Sequence, residues 1–298
     1  MTDLTLTLVA APTADATTVL DDIRRRFGEA GALLETPVWL NHDRTAVDLP
    51  FTALPIQQAR EIVNDLAGAD TAVQPSVNRK KRVLVADMDS TMITIETLDT
   101  MADILGFGEA VKEITMRSMN GELDFADALR ERVTMLKGQP AKSSMQAVMD
   151  QVGLTPGARM TVRTMAENGA YCALVSGGFT FTTEIVYKQI GFHEHRANDL
   201  HVDANGLLAG TVSEPILSRH SKLDTLQELT DARSLTVDDA LCVGDGANDL
   251  DMLLAAGLGV AYYGKPVVRQ QARFRIDHGT METLLYYQGY HRDEFIDD

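Results

Sequence analysis

The sequence predicts an α/β protein: a doubly wound parallel sheet with a helical cap inserted after its first strand, preceded by a small α+β domain. Three observations lead to this prediction. Val83–Ala86 is an unbroken apolar run, which is typical of a central parallel strand that is buried on both faces. Strand and helix patterns alternate from residue 156 onward, as a doubly wound sheet with right-handed crossovers requires. Residues 95–152 are helical instead, and their place after the first strand puts them above the ligand-binding edge of the sheet, as a lid.

The composition indicates a globular chain with an acidic bias. Its 298 residues are enough for a sizeable core and for more than one domain. With 43 acidic and 27 basic residues the formal net charge is −16, which disfavours nucleic acid and anionic membrane surfaces as partners. The first residues lack the pattern of a secretory signal, and no apolar run reaches the roughly 18 residues of a membrane span. We therefore expect a cytoplasmic protein, whose two cysteines, Cys172 and Cys242, are packed thiols.

Residues 1–75 are predicted to form the small α+β domain. Its predicted elements are a strand Leu4–Ala10, a helix Asp15–Phe27, strands Leu33–Leu40 and Arg44–Leu49, a helix Ile56–Leu66 and a strand Thr71–Gln74. This order of elements resembles the ACT family of amino-acid-sensing domains, although the first loop, Ala11-Pro12-Thr13, lacks the glycine that ligand-binding members usually place there. We expect either an ACT-like regulatory or dimerising domain or a plain packing domain.

Residues 76–82 are predicted to link the two domains, so that the second domain covers residues 83–298. The segment is polar and ends in the basic cluster Arg79-Lys80-Lys81-Arg82. Such a cluster is also typical of nucleic-acid-binding segments, but beside an acidic protein body we interpret it as a solvated linker.

One predicted helix of the cap combines an apolar face with a single cation. The helix covers Asp124–Leu136 and places Arg132 on its apolar face. That face is formed by Phe125, Ala128, Leu129, Val133 and Leu136. An arginine in this position either extends along the edge of the apolar face toward solvent or binds an anion.

Beyond the cap, the predicted elements belong to the doubly wound sheet. They are a helix Pro156–Asn168, a strand Tyr171–Val175, a helix Thr180–Ile190, a hairpin Leu200–Val212, a helix from Ser221, a strand Ala240–Val243 and a helix Asn248–Ala256.

Four acidic residues follow two of the buried strands. Asp87 and Asp89 come directly after Val83–Ala86, and Asp245 and Asp249 belong to the loop GDGAND after the strand Ala240–Val243. Because a buried unpaired charge is costly, acids at the carboxyl end of a buried strand indicate a cation or a reaction. Oxygen ligands without a nearby thiol or imidazole suit Mg²⁺ better than zinc. The alternative for Asp249 is a favourable acid in the first turn of a helix.

Two further features are typical of phosphate binding. Ser176-Gly177-Gly178 is predicted to form a turn between a strand and a helix, where backbone N–H groups and the serine hydroxyl can hold a phosphate. Lys222 follows the predicted N-cap Ser221, where a lysine opposes the helix dipole unless an anion lies between them. Taken singly, the first feature is more often an ordinary turn and the second a surface lysine.

Four of these segments follow one another along the chain in the order DMDST, SGG, Lys222 and GDGAND. They resemble the four motifs of the haloacid dehalogenase (HAD) superfamily of phosphotransferases. Within it, residues 83 to about 285 are similar to the phosphoserine phosphatase family. The segments TIETLD, ELDFADALRERV and LVSGGF extend this similarity. The resemblance implies a Rossmann-like HAD core with an inserted helical cap and a bound Mg²⁺.

The resemblance also implies a role for each matching residue. Asp87 matches the nucleophile and Asp89 the general acid/base. The remaining matches are Asp87, the Asp89 carbonyl, Asp245 and Asp249 at the metal site, Ser176, Gly177 and Lys222 at the phosphate, Asn248 at the substrate, and Glu96 and Arg132 at the ammonium and carboxylate groups of the substrate.

The predicted function is Mg²⁺-dependent hydrolysis of O-phospho-L-serine through an aspartyl-phosphate, the last step of serine biosynthesis. One alternative is a phosphatase or phosphotransferase that acts on another small phosphorylated amino acid. Two others are a phosphoacceptor switch, which needs neither Asp89 nor a lid, and an amino-acid sensor, which would lack catalytic groups. The expected partners are a small phosphorylated amino acid and, through the amino-terminal domain, a second copy of the chain.

Overall fold

A computed structural model describes residues 3–64, 66–119 and 122–297. Residues 1, 2, 65, 120, 121 and 298 lie outside this description. They include the start of the predicted first domain, the end of the predicted second domain and one position of the predicted helix Ile56–Leu66. The described residues form an antiparallel sheet of five strands, a parallel sheet of six strands and a separate pair of strands.

The amino-terminal unit follows the predicted order of strands and helices, except that one predicted strand is divided into two. Its elements are β1 (Leu4–Ala10), α1 (Ala16–Glu29), β2 (Leu33–Leu34), β3 (Val38–Trp39), β4 (Ala46–Thr52), α2 (Ile56–Val63) and β5 (Ala69–Pro75). β4 and β5 pair antiparallel with β1, and β2 and β3 both pair with β4. The predicted single strand Leu33–Leu40 is therefore wrong: it is divided near Pro37, which has no N–H to donate to a neighbouring strand. The resemblance to ACT domains stays a prediction.

The segment between β5 and the next strand is not the solvated linker that its charge predicts. The side chain of Arg79 is only 11% exposed and forms an ion pair with Asp48 of β4 (Nη1–Oδ2, 2.6 Å). The same guanidinium donates to the carbonyl oxygen of Tyr287, far along the chain. Lys81 is also buried and donates to the carbonyl oxygen of Asp238 (2.7 Å). The basic cluster thus joins distant parts of the protein, while the domain boundaries at 75 and 83 stay a prediction.

The amino-terminal unit and the parallel sheet share buried apolar surface. Val9, Leu40, Ala46 and Ala72 belong to the same buried cluster as Tyr287 and the other residues on one face of the parallel sheet. The antiparallel sheet is therefore packed directly onto the second part of the chain.

The first strand of the parallel sheet leads directly into the cap. These elements are β6 (Val83–Ala86), α3 (Thr97–Leu105), α4 (Gly108–Met119), α5 (Phe125–Met135) and α6 (Ala141–Met149). α5 begins after Asp124, whose side chain accepts the N–H of Asp127 as an N-cap (2.9 Å). α3 contacts both α4 and α6, so the cap helices pack on one another. Their bounds lie within the predicted range 95–152.

The rest of the chain completes the doubly wound sheet. Its elements are α7 (Ala158–Glu167), β7 (Tyr171–Phe179), α8 (Thr180–Ile190), β8 (Glu194–Asn198), β9 (Leu200–Val202), β10 (Leu208–Val212), α9 (Arg219–Asp231), β11 (Ala240–Gly244), α10 (Leu250–Ala255), β12 (Leu258–Tyr262), α11 (Pro266–Gln271), β13 (Phe274–Ile276) and α12 (Thr283–Tyr287). The strand order is β13-β12-β11-β6-β7-β8, and all neighbours are parallel. β6 lies in the middle and is buried throughout. The predicted fold class is confirmed.

Two local predictions near the sheet edge are wrong. Ser176-Gly177-Gly178 is not a turn that opens a helix, because β7 continues through it to Phe179 with an irregular register against β8. α9 begins at Arg219, with Ser218 as its N-cap. Ser221 instead accepts the N–H of Ser218 through its hydroxyl (3.0 Å), as the third residue of a capping box.

Both cysteines are buried free thiols, as predicted. Among the helices of the described residues, none is long and apolar enough to cross a bilayer.

Candidate active site

The carboxyl end of β6 leads through Asp87 into a turn, Met88–Met92, that carries Asp89. The N–H of Asp87 donates to the carbonyl oxygen of Val243 in the adjacent strand (3.0 Å), which keeps this residue in line with the sheet. Ser90 has a φ of 54°, in the left-handed region that side chains rarely adopt, so the backbone bends sharply just after Asp89. The turn therefore holds Asp87 and Asp89 at the carboxyl edge of the sheet.

Three buried carboxylates meet at this edge. Asp87, Asp245 and Asp249 each offer one oxygen, and these atoms all lie within 4.8 Å of one another. Asp87 and Asp245 leave the sheet at the same edge because β6 and β11 are adjacent parallel strands. Gly244 permits the close approach of Asp249, since a Cβ at position 244 would lie 2.3 Å from its carboxyl carbon.

Lys222 lies between two of these carboxylates. Its Nζ is 2.5 Å from an oxygen of Asp87 and 2.6 Å from an oxygen of Asp249, and the whole side chain is buried. Burial acts to lower the pKa of Lys222, but the charges of Asp249 and Asp87 outweigh it and raise this pKa above its ordinary value. The ammonium group is therefore held charged.

Burial disfavours the charged forms of Asp87 and Asp245, as the raised pKa values of both carboxyl groups indicate. Burial, followed by the charge of Asp249, raises the pKa of Asp87, against the opposing charge of Lys222. Burial also raises the pKa of Asp245 to about 6, against the opposing charge of Lys265. Both carboxylates are therefore stabilised in their charged form by any further cation placed between them.

Asp89 lies beside this cluster with a separate set of partners. One carboxylate oxygen accepts the N–H of Thr97 (2.7 Å) and the hydroxyl of the same residue. The other accepts the hydroxyl of Ser176 (3.1 Å). Burial, followed by the charge of Glu96, raises the pKa of Asp89 to about 6. A carboxyl group with this pKa can donate and accept a proton near neutral pH.

A cavity of about 600 Å³ extends from these acids to the cap. Seven predicted site residues line it: Asp87, Asp89, Glu96, Arg132, Gly177, Asp245 and Asn248. The other three, Ser176, Lys222 and Asp249, lie behind this surface and bond to the residues that form it. Gly177 leaves the space that the cap needs, since a Cβ there would lie 2.9 Å from the ring of Phe125. The structure therefore brings all ten predicted residues together.

Arg132 lies on the cap side of this cavity. Its side chain is 14% exposed, and its Nη1 is 4.0 Å from the nearest carboxylate oxygen of Asp99 and 3.5 Å from the hydroxyl of Thr115. Its Nε donates to the carbonyl oxygen of Ala128 (3.2 Å). Because the ion pair with Asp99 is long and Arg132 lines the cavity, part of the hydrogen-bonding capacity of the guanidinium is available to a ligand there.

Lys265 is a further charged residue of the cavity wall, and it is absent from the residues that the sequence predicts for the site. Its Nζ is 3.2 Å from Glu96 and 3.2 Å from Asp245. Burial acts to lower the pKa of Lys265, and the charges of Glu96 and Asp245 raise it overall. The signal was available: Gly264-Lys265-Pro266 follows the apolar strand β12, and a proline in the first turn marks the start of α11.

The carboxylate cluster fits a divalent cation. Its donor set is three buried carboxylates: the ammonium group of Lys222 bonds to Asp87 and Asp249, and that of Lys265 lies 3.2 Å from Asp245. Oxygen donors of this kind are the ligands of hard cations. The residues that would hold the cation are Asp87, Asp245 and Asp249.

The family model described as haloacid dehalogenase-like hydrolase matches residues 84–254, more than half of the chain and all four motifs. The chain belongs to the haloacid dehalogenase-like hydrolase family. This assignment confirms the resemblance that the motifs predict. The matched residues include the loops after β6 and β11 and the whole cap between them.

Relatives within this family carry a common name. A phosphoserine phosphatase of Streptomyces coelicolor is 37% identical over 288 residues, which are 95% of this chain and 69% of that protein. A phosphoserine phosphatase of Mycobacterium tuberculosis is 38% identical over 216 residues, 72% of this chain. The chain spans 52% of the mycobacterial protein, about half its length.

Solved structures of the haloacid dehalogenase family show the same fold. A hydrolase of this family from Salmonella enterica superposes with a TM-score of 0.81 at 27% identity, covering 99% of this chain and 100% of that one. A substrate-bound phosphoserine phosphatase complex has a TM-score of 0.65 at 33% identity, covering 70% of this chain and 98% of that one. A phospho-aspartyl intermediate analogue of phosphoserine phosphatase has a TM-score of 0.65 at 34% identity, with 70% and 99% coverage.

Proposed function

We propose that this chain is a phosphoserine phosphatase, which hydrolyses O-phospho-L-serine to L-serine and phosphate in the last step of serine biosynthesis. One observation carries the proposal. A single cavity has the nucleophilic carboxylate of Asp87 at one end and the guanidinium of Arg132 at the other. The first end fits a phosphoryl group and the second fits an α-carboxylate. The names of the relatives support the same substrate.

Asp87 is the proposed nucleophile. One of its carboxylate oxygens attacks phosphorus, the bond from phosphorus to the seryl oxygen breaks, and an aspartyl-phosphate forms. Water then attacks phosphorus, releases phosphate and restores the carboxylate. A solved structure that represents a phospho-aspartyl intermediate of a relative supports this route.

Asp89 is the proposed general acid and base. Its neutral carboxyl gives a proton to the leaving seryl oxygen, and its carboxylate then takes a proton from the attacking water. The pKa of about 6 serves both steps, because neither form is strongly disfavoured near neutral pH. The bonds from Thr97 and Ser176 hold the side chain in place for both transfers.

The remaining predicted residues are proposed to bind the transferred phosphoryl group or to orient the groups that bind it. Lys222 contributes its charged ammonium, and Asn248 and the backbone at Gly177 contribute donors on the cavity wall. Ser176 lies behind the wall and bonds to Asp89 and to the N–H of Gly178, so its contribution is to orient these groups.

Mg²⁺ is the proposed cofactor. Asp87, Asp245 and Asp249, with the carbonyl of Asp89, would hold it, and it supplies positive charge for the phosphoryl oxygens when bound.

Glu96 and Arg132 are proposed to select the amino-acid part of the substrate. The ammonium group of the substrate would pair with Glu96, which already shares its carboxylate with Lys265, and the carboxylate would pair with Arg132. A site that pairs buried polar groups with its substrate strongly rejects analogues that lack those groups.

Arg132→Lys is expected to lower kcat/KM for O-phospho-L-serine by about 100-fold and that for p-nitrophenyl phosphate by about threefold or less. Lysine keeps the charge but cannot grip a carboxylate with two parallel hydrogen bonds. Arg130 on the same helix is a matched control, because its partners are Asp127 and the exposed Glu214 and it does not line the cavity. Arg130→Lys should leave both substrates unaffected. Equal losses on both substrates in Arg132→Lys would contradict the proposed selection.

The proposed function is tested by phosphate release from a panel that contains O-phospho-L-serine, O-phospho-L-threonine, O-phospho-L-tyrosine and sugar phosphates. We expect O-phospho-L-serine to be the preferred substrate by at least about 10-fold in kcat/KM. Removal of divalent cations with a chelator should abolish release, and added Mg²⁺ should restore it. Preference for a sugar phosphate, or full activity without a metal, would overturn the proposal.

Two further proposals concern the setting of the enzyme. The protein is proposed to act in the cytoplasm, where serine biosynthesis takes place. It is also proposed to dimerise through the amino-terminal unit, for which the test is the molar mass of the full chain in light scattering.

A further inference from the structure

A second cleft lies between the amino-terminal unit and the parallel sheet. Its walls come from α2 and β5 on one side and from α11, β13 and the residues after β13 on the other. Its volume is about 490 Å³, which is within the range of small-molecule sites. It shares no lining residue with the active-site cavity.

This cleft carries an excess of positive charge. Its described lining residues include four arginines, Arg60, Arg269, Arg273 and Arg275, and two aspartates. The chain as a whole has a formal net charge of −16, so such a concentration of guanidinium groups runs against its composition. An arginine-rich cleft in an acidic protein attracts anions selectively.

The two aspartates of the cleft already have partners. The carboxylate of Asp70 accepts the backbone N–H groups of Asp277 (2.7 Å), His278 (3.2 Å) and Gly279 (2.7 Å). Asp277 is shared, with its carboxylate 2.9 Å from Arg269 and 3.7 Å from Arg275. Neither carboxylate is left to neutralise the remaining cations.

Arg60 and Arg273 therefore form no ion pair with any residue that the structure describes. Arg60 donates from Nε and Nη2 to the carbonyl oxygen of Val73 and lies over the ring of Phe274. Burial, followed by the charge of Arg273, lowers the pKa of Arg60 to about 10. Arg273 is exposed at the cleft and makes no hydrogen bond within the described part of the chain. Both arginines line the same cleft, and the charge of Arg273 disfavours that of Arg60, so two like charges lie near each other there.

We propose that this cleft binds a small, multiply charged anion, of the polycarboxylate or phosphate class, through Arg60 and Arg273. Guanidinium groups match the planar oxygens of carboxylates and phosphates, and one anion between Arg60 and Arg273 removes their mutual repulsion. We expect a small and polar ligand, because the cleft has a volume of about 490 Å³ and most of its described lining residues are polar. This site is independent of the proposed catalytic function, since it lies on other residues.

The test uses the full chain in metal-free buffer, with citrate and inorganic phosphate as probes and sodium chloride at equal ionic strength as reference. Calorimetric titration gives the affinity, and the midpoint of thermal unfolding reports binding to the folded state. At least one of the two anions is expected to bind and to raise the midpoint above that in sodium chloride. Citrate alone would assign the site to polycarboxylates, and phosphate alone to phosphate compounds.

Arg273→Gln is the decisive variant, because Arg273 is exposed and its loss should not disturb the fold. It is expected to weaken anion binding by about tenfold, and Arg60→Gln combined with it should abolish the cleft's share of binding. Phosphate bound at the active site would persist in both variants, so only the part lost in Arg273→Gln belongs to the cleft. Arg163→Gln is the matched control, because Arg163 is exposed on α7 and lies outside the cleft. The proposal is overturned if neither anion exceeds the sodium chloride reference, or if Arg273→Gln binds both as tightly as the unchanged protein.

Discussion

Asp87→Asn is expected to lower the turnover of O-phospho-L-serine by about 10⁴-fold or more, while the protein stays folded. The amide has nearly the shape of the carboxylate but cannot form the acyl phosphate. The fold should tolerate the change because it removes a charge that burial and Asp249 disfavour, and Lys222 keeps Asp249 as a partner at 2.6 Å. Phosphate release measures the first effect, and the thermal unfolding curve measures the second.

Two observations separate this role of Asp87 from a general effect of lost charge. Asp224 is exposed on the helix that carries Lys222, so Asp224→Asn should retain full turnover. Beryllium fluoride, which imitates an acyl phosphate, should raise the unfolding midpoint of the unchanged protein with Mg²⁺ but not that of Asp87→Asn. Substantial turnover in Asp87→Asn would remove the proposed nucleophile and with it the proposed mechanism.

Lys222→Met is expected to lower kcat by on the order of 10³-fold and the free energy of unfolding in metal-free buffer by roughly 3–5 kcal/mol. Methionine has a similar length but leaves Asp87 and Asp249 as two buried carboxylates without their shared ammonium group. Both losses have the same cause, because the charge that balances the carboxylate cluster also balances the phosphoryl group. Denaturant unfolding and steady-state kinetics measure them.

Lys142 provides the control for this variant. It is exposed on α6, and Lys142→Met should change neither quantity by a measurable amount. Mg²⁺ should recover part of the stability of Lys222→Met, since a cation that binds only the folded state stabilises it. Unchanged stability of Lys222→Met without metal would contradict the electrostatic role that its contacts indicate.

Much of the candidate site could be predicted because sequence order and sheet topology are closely linked. Asp87 and Asp245 each follow an apolar run, and parallel strands release such residues at the same edge. The chain order of strands and helices was sufficient to place the cap above that edge. Residues at strand ends were therefore predicted with the fold itself.

The features that were missed depend on contacts between distant residues. Arg79 reads as part of a solvated basic cluster, because its partners Asp48 and Tyr287 are remote in sequence. The position of Lys265 after an apolar strand was a weak signal in the sequence, and its two partners, Glu96 and Asp245, are known only from the folded chain. The prediction of a turn at Ser176-Gly177-Gly178 was wrong because pairing with β8 extends β7 beyond the point where glycines usually end a strand.

The buried cluster that joins Val9, Leu40, Ala46 and Ala72 to Tyr287 has a consequence for how the molecule can be divided. A cut between Pro75 and Ser76 would expose complementary apolar faces on the two fragments. It would also separate the guanidinium of Arg79, on the longer fragment, from its ion-pair partner Asp48, on the shorter one. Co-expressed as separate polypeptides, the two fragments should associate and form an active enzyme, whereas either fragment alone should aggregate.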